Sequence, residues 1–67
     1  MVNPIRIIVV DDHRIVRAGI CSLLAQAPDM EVVGQAGTGE EAIELAMQSH
    51  PDVVLMDLSM PGGDGLQ

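Results

Sequence analysis

Three aspartates carry the chemistry open to this sequence. Asp11 and Asp12 follow the apolar run Ile7 to Val10, and Asp57 follows a second run, Val53 to Met56. An acidic pair and a lone acid at the ends of two apolar runs suit a hard divalent cation, because Mg²⁺ takes a few carboxylate oxygens and completes its shell with water and phosphate oxygens. Carboxylates gathered that closely repel one another, and a divalent ion removes the repulsion. Taken singly, each has a plainer role: Asp11 and Asp12 would cap a following helix and Asp57 would open a turn. Three of them at two strand ends favour a shared site.

For the acids to meet, the two runs must be adjacent strands. Ile5 to Val10 is β-branched and almost continuously apolar, the pattern of a strand buried on both faces of a parallel sheet. From His13 to Ala27 the residues Val16, Ile20, Leu23, Leu24 and Ala27 mark one face of a helix, which Pro28 stops. Glu31 to Ala36 predicts a shorter strand ending at Gly37. Thr38 with Glu41 three places on is a capping-box pattern, so a helix is expected from Gly39 to about Ser49, with Pro51 beyond it. Val53 to Met56 is the third strand, and Pro61, Gly62, Gly63 and Gly65 describe a tight loop. Strand, helix, strand, helix, strand is a βαβαβ half of a doubly wound parallel α/β sheet, and such sheets collect ligands outside the carboxyl ends of their strands.

Composition narrows the function classes. With 67 residues the chain has room for one small core, and burying roughly 60% of the unfolded surface leaves such a domain marginally stable. Apolar residues make up 48%, as in folded proteins. Three arginines and no lysine stand against ten acidic residues, a net charge of −7, which argues against a nucleic-acid surface within this segment. The lack of aromatic residues excludes stacking on bases. Cys21 alone cannot form an internal disulfide, and neither a signal-peptide pattern nor a run long enough to span a membrane occurs, so a cytoplasmic protein is expected.

The stretches Ile7-Ile8-Val9-Val10-Asp11-Asp12-His13 and Val53-Val54-Leu55-Met56-Asp57-Leu58-Ser59-Met60-Pro61-Gly62-Gly63-Asp64-Gly65 resemble the receiver domain of two-component response regulators. Asp11-Asp12-His13 with Val16-Arg17-Ala18-Gly19 is similar to the subfamily whose receiver precedes a LuxR-type DNA-binding output domain. The resemblance implies a flavodoxin-like (CheY-like) fold truncated to βαβαβ, with residues 1–67 as the N-terminal part of a receiver. It implies a phosphoacceptor rather than an enzyme in the ordinary sense. Asp57 would accept a phosphoryl group from a sensor histidine kinase and also bind Mg²⁺, and Asp12 would be a direct Mg²⁺ ligand. Asp11 would be a ligand through water or an orienting carboxylate, and the backbone carbonyl of Ser59 a further ligand. The Ser59 side chain would either tune the lifetime of the acyl phosphate or satisfy its own loop. The family's fourth and fifth strands, its switch Ser or Thr and its phosphate-contacting Lys fall outside these residues. Phosphotransfer by this chain alone is therefore expected to be poor, since losing one such charge donor costs roughly 2.7–4 kcal/mol in comparable sites.

Two other readings compete. Gly37-Thr38-Gly39-Glu40-Glu41-Ala42 fits a G-x-G-x-x-A dinucleotide fingerprint, with Asp57 eighteen residues past Gly39, but Glu40 and Glu41 would sit where a pyrophosphate needs bare N–H groups. Alternatively the chain is a non-signalling interaction module that self-associates through the apolar strand Val53 to Met56. His13 reads as a solvated residue at a helix start, with electrostatic tuning of the adjacent acidic pair as the alternative. Arg14 and Arg17 read as surface charge or as groups that pair with acids or help dock the kinase, and His50 as a residue favourable to a helix dipole.

Overall fold

The computed structural model describes residues 3–57. In chain order these form β1 (Ile5–Asp11), α1 (Arg14–Ala25), β2 (Met30–Ala36), α2 (Gly39–Ser49) and β3 (Val53–Asp57). The strands make one sheet in the order β2-β1-β3, with both pairings parallel. β1 is thus the central strand, which is why its run from Ile7 to Val10 can be apolar without interruption: all four residues are buried. Ile8 and Val10 form the core with Ala36 of β2 and Ala42 of α2, against which Val33, Leu45 and Ala46 pack.

The β1–β2 register shifts once. Ile7 is the partner of Val32 and Ile8 that of Gly34, so Val33 has no partner on β1. The shift brings Gly34 under α2, where a Cβ on it would stand 3.2 Å from Leu45 Cδ1. Glycine at this position lets helix and strand approach.

α1 departs from the expected core-facing stripe. Ile20 and Leu24 are half-buried, whereas Val16 and Leu23 are exposed and no residue of the helix is fully buried. Only part of the stripe rests on β1 and β2, the strands that α1 touches. The helix also ends at Ala25 rather than Ala27: Gln26 and Ala27 donate to Leu23 and Leu24 in a tightened last turn, because the residue before Pro28 disfavours the helical conformation. Cys21 is half-buried.

α2 starts as its sequence predicts. Thr38 is extended, and its side chain accepts the N–H of Glu41 at 3.1 Å. The reciprocal bond differs from the usual box, since Glu41 Oε1 accepts from Gly37, one residue before the cap. At the opposite end of the sheet the Arg6 N–H donates to Asp52 Oδ2 at 2.9 Å and the Asp52 N–H returns to the Arg6 carbonyl at 2.8 Å. The Arg6 guanidinium donates to the carbonyls of Ser49 and His50, closing the C-terminal end of α2. Among the described residues no helix is long and apolar enough to cross a membrane.

Candidate functional site

The carboxyl ends of β1 and β3 are flush. Asp11 is the register partner of Asp57, one step beyond Val10 and Met56. Neighbouring strands lie about 4.8 Å apart, so this register sets the backbone of Asp57 beside that of Asp11 and close to Asp12.

Asp11 is the buried acid of the group, its side chain 1% exposed. Its Oδ1 accepts the N–H of His13 at 2.7 Å, which turns the chain out of β1 towards α1. Its carbonyl accepts from Arg17 Nη1 at 2.9 Å. Asp12 is exposed. His13, the N-cap of α1, makes no side-chain cap bond. Its ring points back instead, with Nδ1 at 3.0 Å from Asp12 Oδ1 and 3.4 Å from Asp11 Oδ1. Of the helix-capping role open to Asp11 and Asp12, only a version is seen: Asp11 holds the N–H of His13 itself rather than one inside the helix.

One ligand atom from each of Asp11, Asp12 and His13 lies within 4.8 Å of the others. Two carboxylates, one buried and one open to solvent, fit a hard divalent cation that keeps part of its water shell. Asp57 is exposed, and its carboxylate stands outside that group of three. The register brings its backbone to the site, and like charge opposes further approach of the side chain. Ser59, Met60, Pro61 and Gly65 lie outside the described residues.

The sequence allows His13 to tune the acidic pair and Arg17 to pair with acids, but it does not fix the contacts that each makes here. The inward turn of the His13 ring and the bond from Arg17 both depend on how α1 leaves β1, although Arg17 lies one helical turn from His13 and that spacing could have flagged it. Gly37 has its N–H taken by Glu41, so the start of α2 satisfies its own donors. A pyrophosphate at the G-x-G-x-x-A segment would have to displace both of these bonds and meet two glutamates.

Residues 7–67 match the family described as the response regulator receiver domain. The nitrate/nitrite response regulator protein NarL of Escherichia coli K12 is 48% identical over 65 residues, covering 97% of this chain and 30% of its own length. The transcriptional regulatory protein LiaR of Bacillus subtilis is 48% identical over 63 residues, 94% of this chain and 30% of its own. The chain therefore spans about 30% of the length of these curated relatives. The crystal structure of the response regulator domain of Thermotoga maritima CheB superimposes with a TM-score of 0.82 at 44% identity, over 88% of this chain and 44% of that one.

Proposed function

The chain belongs to the response regulator receiver domain family, and from that membership we propose that Asp57 is the phosphoacceptor of a two-component signalling protein. Asp12 and Asp57 would hold Mg²⁺ directly, Asp11 would hold it through water or by orienting its neighbours, and the Ser59 carbonyl would complete the protein's share. When bound, Mg²⁺ supplies charge neutralisation for an incoming phosphoryl group. A carboxylate oxygen of Asp57 attacks the phosphorus of a phosphohistidine on a sensor histidine kinase. The P–N bond breaks, the imidazole leaves, and an acyl phosphate remains on Asp57. The register pairing of Asp11 with Asp57 carries this reading, because it brings a lone acid and an acidic pair to one end of the sheet.

On this reading residues 1–67 are the N-terminal part of a receiver in a cytoplasmic regulator of transcription with a LuxR-type output domain. DNA contact belongs to that output domain, as a net charge of −7 suits this segment poorly to it. The experiment is prolonged incubation with acetyl phosphate and Mg²⁺, read by intact mass. One added phosphoryl group that needs Mg²⁺ and disappears in Asp57→Asn is expected. Labelling that survives the substitution would place the acceptor elsewhere.

A second reading draws on β3. Among the described residues it has one neighbouring strand, and Val53, Val54, Leu55 and Met56 are all exposed. An apolar open edge supports pairing with a second copy of the chain. Light scattering that shows a well-folded monomer at micromolar concentration would remove this reading.

A further inference from the structure

Arg17 reaches two loops at once. Its Nη1 donates to the Asp11 carbonyl at 2.9 Å, and the same nitrogen would stand 3.0 Å from a Cβ built on Gly37. Gly37 is also held by Glu41, whose Oε1 accepts its N–H at 2.8 Å and would stand 3.7 Å from the same Cβ. The Arg17 Nε is buried and has no hydrogen-bond partner among the described residues. A buried orphan donor is unfavourable, so this inward pose must be held by the remaining contacts of the guanidinium. The backbone of Gly37 is outside the left-handed region, so an alanine there acts through its contact with Arg17 and not through strain.

We propose that Arg17 is a positioning residue for the acidic cluster. It fixes the carbonyl of Asp11, and with it the direction in which Asp11, Asp12 and His13 leave β1. It also ties that turn to the β2–α2 turn, so that cation affinity at Asp11 and Asp12 depends on Gly37, which offers no ligand atom. The dependence on cation affinity rests on the metal site proposed above; the coupling of the two turns does not.

The test uses the 67-residue chain. Mn²⁺ affinity is read from the free-ion electron paramagnetic resonance signal, and amide exchange at His13 and Gly37 is read by NMR without metal. Arg17→Gln is expected to weaken Mn²⁺ binding about tenfold, the loss typical of removing a group that orients a metal ligand. Arg17→Lys should restore part of it through a single donor to the Asp11 carbonyl. Gly37→Ala should weaken binding in the same direction, and the double variant Arg17→Gln with Gly37→Ala should bind no more weakly than Arg17→Gln alone. Exchange at His13 should quicken in Arg17→Gln and in Gly37→Ala with little change in thermal midpoint.

Wild-type affinity in Arg17→Gln, alongside lost binding in Asp12→Asn, overturns the positioning role and leaves the metal site standing. Weakened binding that merely follows a fall in thermal midpoint also overturns it, by making the role structural. Should Asp12→Asn bind as wild type, the metal-site reading fails, and exchange at His13 decides the coupling: faster in both variants supports it, unchanged rates overturn it. If Arg17→Gln does not fold, Gly37→Ala and Arg17→Lys carry the same comparison.

Discussion

Asp11 and Asp57 are partners at the last register position shared by β1 and β3, yet Asp11 is buried under the start of α1 and Asp57 lies open to solvent. Their carboxylates therefore add to one negative field from different dielectric surroundings. Without a divalent cation, Asp57→Asn should raise the thermal midpoint, by an amount corresponding to about 0.5 kcal/mol after solvent screening of the exposed partner. With Mg²⁺ at a hundredfold excess over its dissociation constant the wild type should gain about 2.7 kcal/mol and Asp12→Asn much less. Differential scanning calorimetry with and without Mg²⁺ checks both; equal Mg²⁺ shifts in wild type and Asp12→Asn would sink the metal assignment.

The capping arrangement at α2 gives a second prediction. Thr38 Oγ1 accepts the Glu41 N–H, and Glu41 Oε1 accepts the Gly37 N–H. Thr38→Ala should cost about 1 kcal/mol in urea denaturation. Glu41→Gln should cost less, since an amide oxygen can still accept from Gly37 while the charge near the helix start is lost. A larger loss for Glu41→Gln than for Thr38→Ala would mean that charge, not geometry, stabilises this end.

Much of this architecture can be read along the chain because its signals are local. The β-branched run of β1 declares a strand buried on both faces, and Thr38 with Glu41 marks the start of α2 within a single turn. The meeting of Asp11 and Asp57 depends on strand order, which a right-handed βαβαβ pattern leaves open between β3-β2-β1 and the observed β2-β1-β3; the resemblance to a flavodoxin-like receiver selects the second. Less legible is whatever depends on approach between elements. Leu23 repeats with helical period yet is exposed, because periodicity reports a face and not what covers it. Arg17 reads as surface charge or as a group that pairs with acids, and its contact with the Asp11 carbonyl emerges only when α1 is placed against the end of β1. The unpartnered Val33 follows from the register shift, which a strand pattern of alternating residues does not encode. His13 faces its acidic neighbours because its own N–H is held by Asp11, a turn that the residue types permit without requiring.

The end of the sheet opposite the acids depends on Arg6 and Asp52, joined by two bonds of 2.9 and 2.8 Å although 46 residues separate them. Only the first of these uses a side chain. Asp52→Ala should therefore lose one charge-assisted bond and keep the backbone return, a cost of about 1 kcal/mol at this exposed position. Equilibrium denaturation measures it, and since the acids lie at the far end of the sheet, Mn²⁺ affinity should not change. A shifted affinity would reveal coupling along β1.

His50 is the described non-glycine residue with positive φ, at φ 51° and ψ 62°, where it caps α2 by donating its N–H to Ala46 at 2.9 Å. The left-handed conformation costs an L-residue roughly 1 kcal/mol, and glycine is the residue that helices most often place there. The Arg6 guanidinium meets His50 through its backbone carbonyl, so replacing the side chain leaves that contact in place. His50→Gly should thus relieve strain at no loss of hydrogen bonding, offset in part by the greater freedom of glycine in the unfolded chain, for a net gain of about 0.5 kcal/mol. His50→Ala removes the imidazole and keeps the strain, so it should gain nothing. The order expected in urea midpoints is Gly above His, with Ala at or below His. If Gly falls below His, the imidazole and its favourable place at the helix end outweigh the backbone strain; if Gly falls below Ala, the freedom of glycine in the unfolded chain does.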